Sequence, residues 1–112
     1  MTESIKGRPI WDDALAGRLA GKLVLVGLTY FNESGVFIEQ REFFGRVASV
    51  DRRSGILLVL EGRQGGEKYN LPPDTRSFAE AAPGTYTLRS TGETVRNPDF
   101  TVMFSFHRQP EK

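Results

Sequence analysis

The stretch Phe44-Gly45-Arg46-Val47-Ala48-Ser49-Val50-Asp51, followed across Arg52-Arg53-Ser54 by Gly55-Ile56-Leu57-Leu58-Val59-Leu60-Glu61, carries the strongest fold signal in the chain. Residues 36–50 are too long for one flat strand and hold Gly45 inside the run. A glycine there marks a bulge or a sharp bend. The expectation is one strand bent at Gly45. Residues 51–55 have hairpin-loop chemistry, since Asp and Ser bond nearby backbone groups and Gly takes left-handed angles. Residues 56–60 are an uninterrupted apolar run, the pattern of a central strand buried on both faces.

Toward the N-terminus, residues 22–31 are rich in strand-forming types. Leu23 and Leu25 point one way and Val24, Val26 and Leu28 the other, so both faces need a cover. Trp11, Leu15 and Leu19 recur every four residues with Ala14 beside them, which predicts a helix over residues 11–20. Asp12 is placed to cap it and Gly21 to end it in a left-handed turn. That helix is the natural cover for the following strand. Asn32 to Gly35 read as a turn.

Toward the C-terminus, residues 64–66 turn the chain into a short strand over 67–71, which Pro72-Pro73 stops. Asp74 is placed to cap one helical turn reaching Phe78. Residues 85–89 and 101–106 alternate, with Val102, Phe104 and Phe106 inward. Turns fall at 81–84, 90–93 and 97–99. The prediction is a mainly β fold, a small barrel of about five to six short strands preceded by the N-terminal helix. One domain spans residues 10–107, with flexible tails at 1–9 and 108–112.

The chain has 112 residues, a common size for one domain with one core. It holds no cysteine, which excludes disulfides, thiolate metal sites and cysteine nucleophiles. The same absence leans toward a reducing compartment, and residues 1–9 have no apolar signal core, so the expected location is cytoplasmic. No apolar run is long enough to span a bilayer. The net charge is +1, and between Glu39 and Lys68 both signs interleave. Phosphate backbones are bound by clustered positive charge, and this balance gives no such footprint.

The quoted stretch resembles the first motif of Sm-like proteins: a glycine in a bent second strand, a spaced hydrophobic run ending in aspartate, then an apolar third strand ending in an acidic residue. The order of helix, strand and bent strand over residues 11–71 is similar too. The resemblance implies an Sm-like or SH3-like barrel. It does not carry RNA binding with it. The loop Arg52-Arg53-Ser54-Gly55 lacks the family's base-binding asparagine, and Leu71-Pro72-Pro73-Asp74 does not match the second motif. The chain after Pro83 also adds strands beyond a minimal Sm barrel.

Two groups of residues stand out as binding candidates. Arg46, Arg52, Arg53, Arg63 and Lys68 are candidate nucleic-acid contacts, with Phe43, Phe44 and Tyr69 nearby for base stacking. The plainer reading is that those aromatics are core and the arginines a solvated loop. Pro72, Pro73, Asp74, Arg76 and Phe78 form a stiff, irregular segment that is a candidate partner-binding loop. The plainer reading is that Phe78 plugs one end of the barrel. His107, the single histidine, reads as a surface residue at a strand end, and Asp51, Asp74 and Asp99 read as turn residues. Gly62-Arg63-Gln64-Gly65-Gly66 lacks the Gly-Lys-Ser/Thr ending of a phosphate loop.

No catalytic residue, metal site or cofactor is expected. The favoured function is a non-enzymatic interaction module that binds a protein partner or another copy of itself. Single-stranded nucleic-acid binding is the alternative, and a small-ligand barrel or enzyme the second alternative.

Overall fold

The computed structural model describes residues 10–107, so the expected tails at 1–9 and 108–112 lie outside the described residues. In chain order the elements are a short helix α1 (Asp13–Ala16), β1 (Leu23–Phe31), β2 (Phe37–Asp51), β3 (Gly55–Leu60), a 3-10 turn (Gly62–Gln64), β4 (Lys68–Leu71), β5 (Phe78–Glu80), β6 (Thr85–Thr87), β7 (Thr94–Arg96) and β8 (Phe100–His107). The fold is mainly β.

The four strands β1 to β4 form an antiparallel meander. β8 returns to lie parallel on the free edge of β1, and β5 pairs antiparallel with β8. The resulting sheet has the order β4-β3-β2-β1-β8-β5, and β6-β7 is a separate hairpin. Leu71 of β4 and Phe78 of β5 share one core with Val24, Val26 and Leu28, so the sheet coils around its apolar face. It does not close, because β4 and β5 end the ladder without pairing. The expected closed barrel is therefore an open, coiled sheet among the described residues.

The predicted helix over 11–20 shrinks to one turn. Asp12 does cap it, its Oδ1 accepting from Ala14 N at 2.9 Å and Leu15 N at 3.1 Å. After Gly17 the bonding tightens, with Arg18 N donating to Leu15 O and Leu19 N to Ala16 O. Gly21 turns at φ +77° as expected. The stripe still packs, since Leu19 is fully buried and Trp11 and Leu15 lie against the main core.

The helical segment covers only one face of β1. On the opposite face Leu23, Leu25 and Phe44 pack under the β6-β7 hairpin, against Leu88, Val95 and Tyr86. β7 and β5 are strands that the sequence pattern hid among turn residues. The helical turn expected after Asp74 is absent. Its carboxylate instead accepts Arg76 N at 3.0 Å and leads the chain into β5.

Gly45 acts by close approach. A Cβ there would meet Val59 O at 2.5 Å and Leu60 Cα at 2.8 Å, both backbone. β2 is irregular at two other places, at Ala48 between Val47 and Ser49 and at Ile38 between Phe37 and Glu39. Gly45→Ala must push β3 off β2, and overpacking of this kind costs about 1–3 kcal/mol. Its urea midpoint should fall accordingly, whereas an unchanged midpoint would mean the two strands part freely.

Candidate interaction surface

β1, β2 and β8 outrun their neighbours. β3 joins β2 only from Gly45 onward, and β5 joins β8 only as far as Val102. What projects beyond is a three-stranded arm of residues 27–31, 37–42 and 103–107. The turn at its tip is built by Asn32, whose Oδ1 accepts Ser34 N at 2.8 Å and Val36 N at 2.9 Å.

The outer face of the arm carries an aromatic row across all three strands. The Phe31 ring stacks on His107 at 5.4 Å and meets Phe37 edge-on at 6.4 Å. Met103 lies over Gly27, where an added Cβ would sit 3.6 Å from its Cγ and Cε. Val36 is 59% exposed, Phe37 58%, Ile38 39% and Met103 58%. Among the described residues these are four of the five exposed large apolar side chains; Phe37, Ile38 and Met103 sit on the arm's strands and Val36 in the turn at its tip.

The inner face is aromatic too. Tyr30 stacks on Phe106 at 5.6 Å, Phe106 on Phe104 at 6.3 Å, and Tyr69 of β4 leans on Phe43 at 4.9 Å. Tyr30, Tyr69 and Phe106 are half-buried. Burial, and next the Tyr30 hydroxyl beside it, push the Tyr69 phenol above its ordinary value, against a smaller opposing pull from Arg41. At the root of the arm, Glu42 N donates to Ser90 Oγ at 3.1 Å, and Glu42 Oε1 accepts from Arg89 N and Ser90 N.

The cations singled out from sequence are not one patch. Arg46 and Lys68 flank Val59 in one cross-strand row, and Arg63 lies in the nearby 3-10 turn. Arg52 and Arg53 sit at the opposite end of β3. Arg46 reaches Glu61 at 3.3 Å, and Arg52 reaches Asp13 at 3.6 Å. Phe43 and Phe44 are buried. Asp51 Oδ1 holds Arg53 N at 2.7 Å and Ser54 N at 2.9 Å. The Ser54 and Arg53 amides keep that carboxyl below its ordinary value.

The Pro72 to Phe78 segment is a strap. Phe78 and Asp74 are buried, Pro72 and Pro73 half-buried, and Arg76 exposed. Asp74 receives Arg76 in a forked contact, Nε at 3.2 Å and Nη2 at 2.6 Å. Thr75 Oγ1 accepts Asp12 N at 2.9 Å and donates to Ile10 O at 3.1 Å, tying the start of the described chain to the core.

An open cleft of 770 Å³ lies near the opposite end of β1, lined in part by Arg18, Lys22, Glu80, Asn97, Asp99 and Phe100. Four of its polar side chains serve the fold: Arg18 pairs with Glu80, Asp99 Oδ2 accepts Leu23 N at 2.9 Å, and Asn97 Oδ1 accepts Gly84 N at 2.7 Å. Among the described residues no histidine and carboxylate groups gather as a metal site. Among the described residues no helix is long and apolar enough to cross a membrane.

Sequence reading missed the arm. The available signal was apolar residues on both sides of the Asn32–Gly35 turn, with no polar alternation at Val36-Phe37-Ile38. No family model matches the chain, and no curated protein or solved structure matches it.

The tyrosine absorbance lost in Tyr69→Phe should titrate above the usual phenol value of about 10. Tyr30→Phe should lower that midpoint without bringing it fully back, because burial persists. A Tyr69 midpoint indifferent to Tyr30 would break the link between β4 and the arm.

Proposed function

We propose that this chain is a protein-interaction module, without catalytic activity of its own, that binds through the β1-β2-β8 arm. The observation that carries this reading is the exposed run Val36-Phe37-Ile38 at the tip of the arm, with Met103 exposed four residues further down the same ladder. Single exposed apolar residues are ordinary, but a contiguous group marks an interaction surface. Burying a side chain of this size gains about 1.5–3 kcal/mol. The engaged polar groups of the cleft further support a non-enzymatic role.

A second reading, single-stranded nucleic-acid binding, is favoured by the Phe37-Phe31-His107 row, since bases stack on such rings. It is weakened by the separation of Arg46, Arg63 and Lys68 from Arg52 and Arg53, and by their distance along the strands from that row. An Sm-like or SH3-like ancestry for the β1 to β4 meander is likewise a proposal, supported by the long β2 with Gly45 and the apolar β3. The absence of cysteine supports a reducing compartment such as the cytoplasm.

At low protein concentration, the wild type should enhance the fluorescence of an anilinonaphthalene sulfonate dye. Phe37→Ser combined with Met103→Ser should lose most of that signal with an unchanged far-ultraviolet spectrum. Equal fluorescence from both proteins would remove the arm as the apolar binding surface.

A further inference from the structure

We infer that the β6-β7 hairpin is a lid, latched by Glu42, that opens from the outer face of β1 and β2 and so regulates how much apolar surface the arm offers. This rests on the arm being the binding surface.

The hairpin stands apart from the main sheet. β6 and β7 pair with each other and, among the described residues, with no strand of the six-stranded sheet. A two-stranded hairpin is marginal by itself, so its position depends on what it packs against and bonds to. Its two stems are clamped together: Asn97 Oδ1 accepts Gly84 N and Gly84 O accepts Asn97 N, both at 2.7 Å. Both residues take positive φ, +146° at Gly84 and +48° at Asn97. Tyr86 Oη donates to Ala82 O at 2.7 Å, a bond within the same stem. The next tie outward, Ala81 N donating to Asp99 O, already belongs to the end of the β5-β8 ladder. The hinge falls between that tie and the Gly84-Asn97 clamp.

At the far end, two carboxylates hold the tip. Glu42 of β2 accepts from Arg89 N and from Ser90 N, and its own N donates to Ser90 Oγ at 3.1 Å. Glu93, in the tip, accepts Arg63 N of the 3-10 turn at 2.6 Å. Neither carboxylate is buried. Water can replace such bonds, so each adds little to the net free energy of closure. Between hinge and tip, only Leu88, Val95 and Tyr86 pack on Leu23, Leu25 and Phe44.

The lid lies on the surface that the arm continues. Leu23, Leu25 and Gly27 share one face of β1, because strand residues two apart point the same way. Gly27 has Glu42 on one side and Met103 on the other. Glu42 therefore stands where the covered apolar face ends and the uncovered one begins. With the tip released, Leu25 and Phe44 join Met103 in one longer face. A partner that touches this longer face binds only the open form and shifts the population toward it.

The test is amide hydrogen exchange of the full chain at several low urea concentrations. In the wild type, bonded amides of residues 85–96 should exchange faster than those of β1 to β3. Their rates should depend little on urea, because a local opening exposes little surface. Glu42→Ala should speed the same amides about tenfold, still with little urea dependence, since bonds to a charged acceptor are lost. Ser90→Ala keeps the carboxylate and should give a smaller shift in the same direction. A variant that fails to fold would instead lose protection in every strand. In the Phe37→Ser, Met103→Ser protein, adding Glu42→Ala should restore part of the anilinonaphthalene sulfonate fluorescence.

Hairpin amides that share the rates and urea dependence of β1 to β3 overturn the lid. So does a hairpin whose exchange ignores both Glu42→Ala and Ser90→Ala. Dye fluorescence that stays low while the hairpin exchanges faster overturns the claim that opening enlarges the apolar face. If wild-type fluorescence ignores Phe37 and Met103, the arm reading fails, and the exchange contrast still separates a lid from a fixed cover.

Discussion

β1 needs cover on both faces, and the rest of the architecture follows from supplying it. Val24, Val26 and Leu28 are fully buried in the main core, and Leu23 is buried on the other side. One cover is the coil of the sheet itself, with the 11–19 segment laid across it. The other is the β6-β7 hairpin, which exists as a separate unit because only Leu88, Val95 and Tyr86 reach Leu23, Leu25 and Phe44. Asp99 binds the two systems together, accepting Leu23 N and donating its own N to Leu23 O at the start of the parallel pairing. Both covers run out near Leu28, but the hydrogen-bonded ladder continues to Phe31 and His107. The arm is this mismatch between the length of the strands and the length of their covers.

The periodic and apolar signals were legible in sequence, and β1, β2, β3 and β8 fall where those patterns put them. Gly45 was legible as a special position, although its role is close approach to Val59 rather than the bend, which Ala48 takes up nearby. The helix was over-read. A four-residue repeat reports which side chains are buried, and Trp11, Leu15 and Leu19 keep that property in a tight irregular turn. β5 and β7 were hidden because each is short and flanked by turn residues, so tertiary pairing with β8 and β6 defines them. The arm was hidden for another reason. Sequence shows that Val36, Phe37 and Ile38 are apolar but cannot show that no neighbour arrives to bury them.

The two loops chosen from sequence illustrate the same limit. Pro72 to Phe78 is stiff and unusual because it is a strap: Thr75 grips Ile10 and Asp12 while Asp74 is satisfied by Arg76. A buried carboxylate requires such a partner. Arg52-Arg53 sits beside Asp51, whose carboxylate holds the loop's own amides. In both loops the carboxylates of Asp51 and Asp74 and the hydroxyl of Thr75 hold backbone groups, a role that the sequence pattern does not show.

Arg18, Arg46, Arg52 and Arg76 each meet a carboxylate of the same chain, which leaves local charge largely balanced. Exposed ion pairs of this kind add little stability, but they blunt long-range attraction for a charged partner. What stays uncovered at the arm is different in kind: apolar side chains on the face and backbone groups along the β2 edge. Such edges pair indiscriminately unless something restricts them. Here Glu61 and Ser90 close the edge at Phe44 and Glu42. Apolar side chains at the tip and a short stretch of β2 backbone beside them are thus what the arm leaves exposed, where the rest of the described surface carries paired charge.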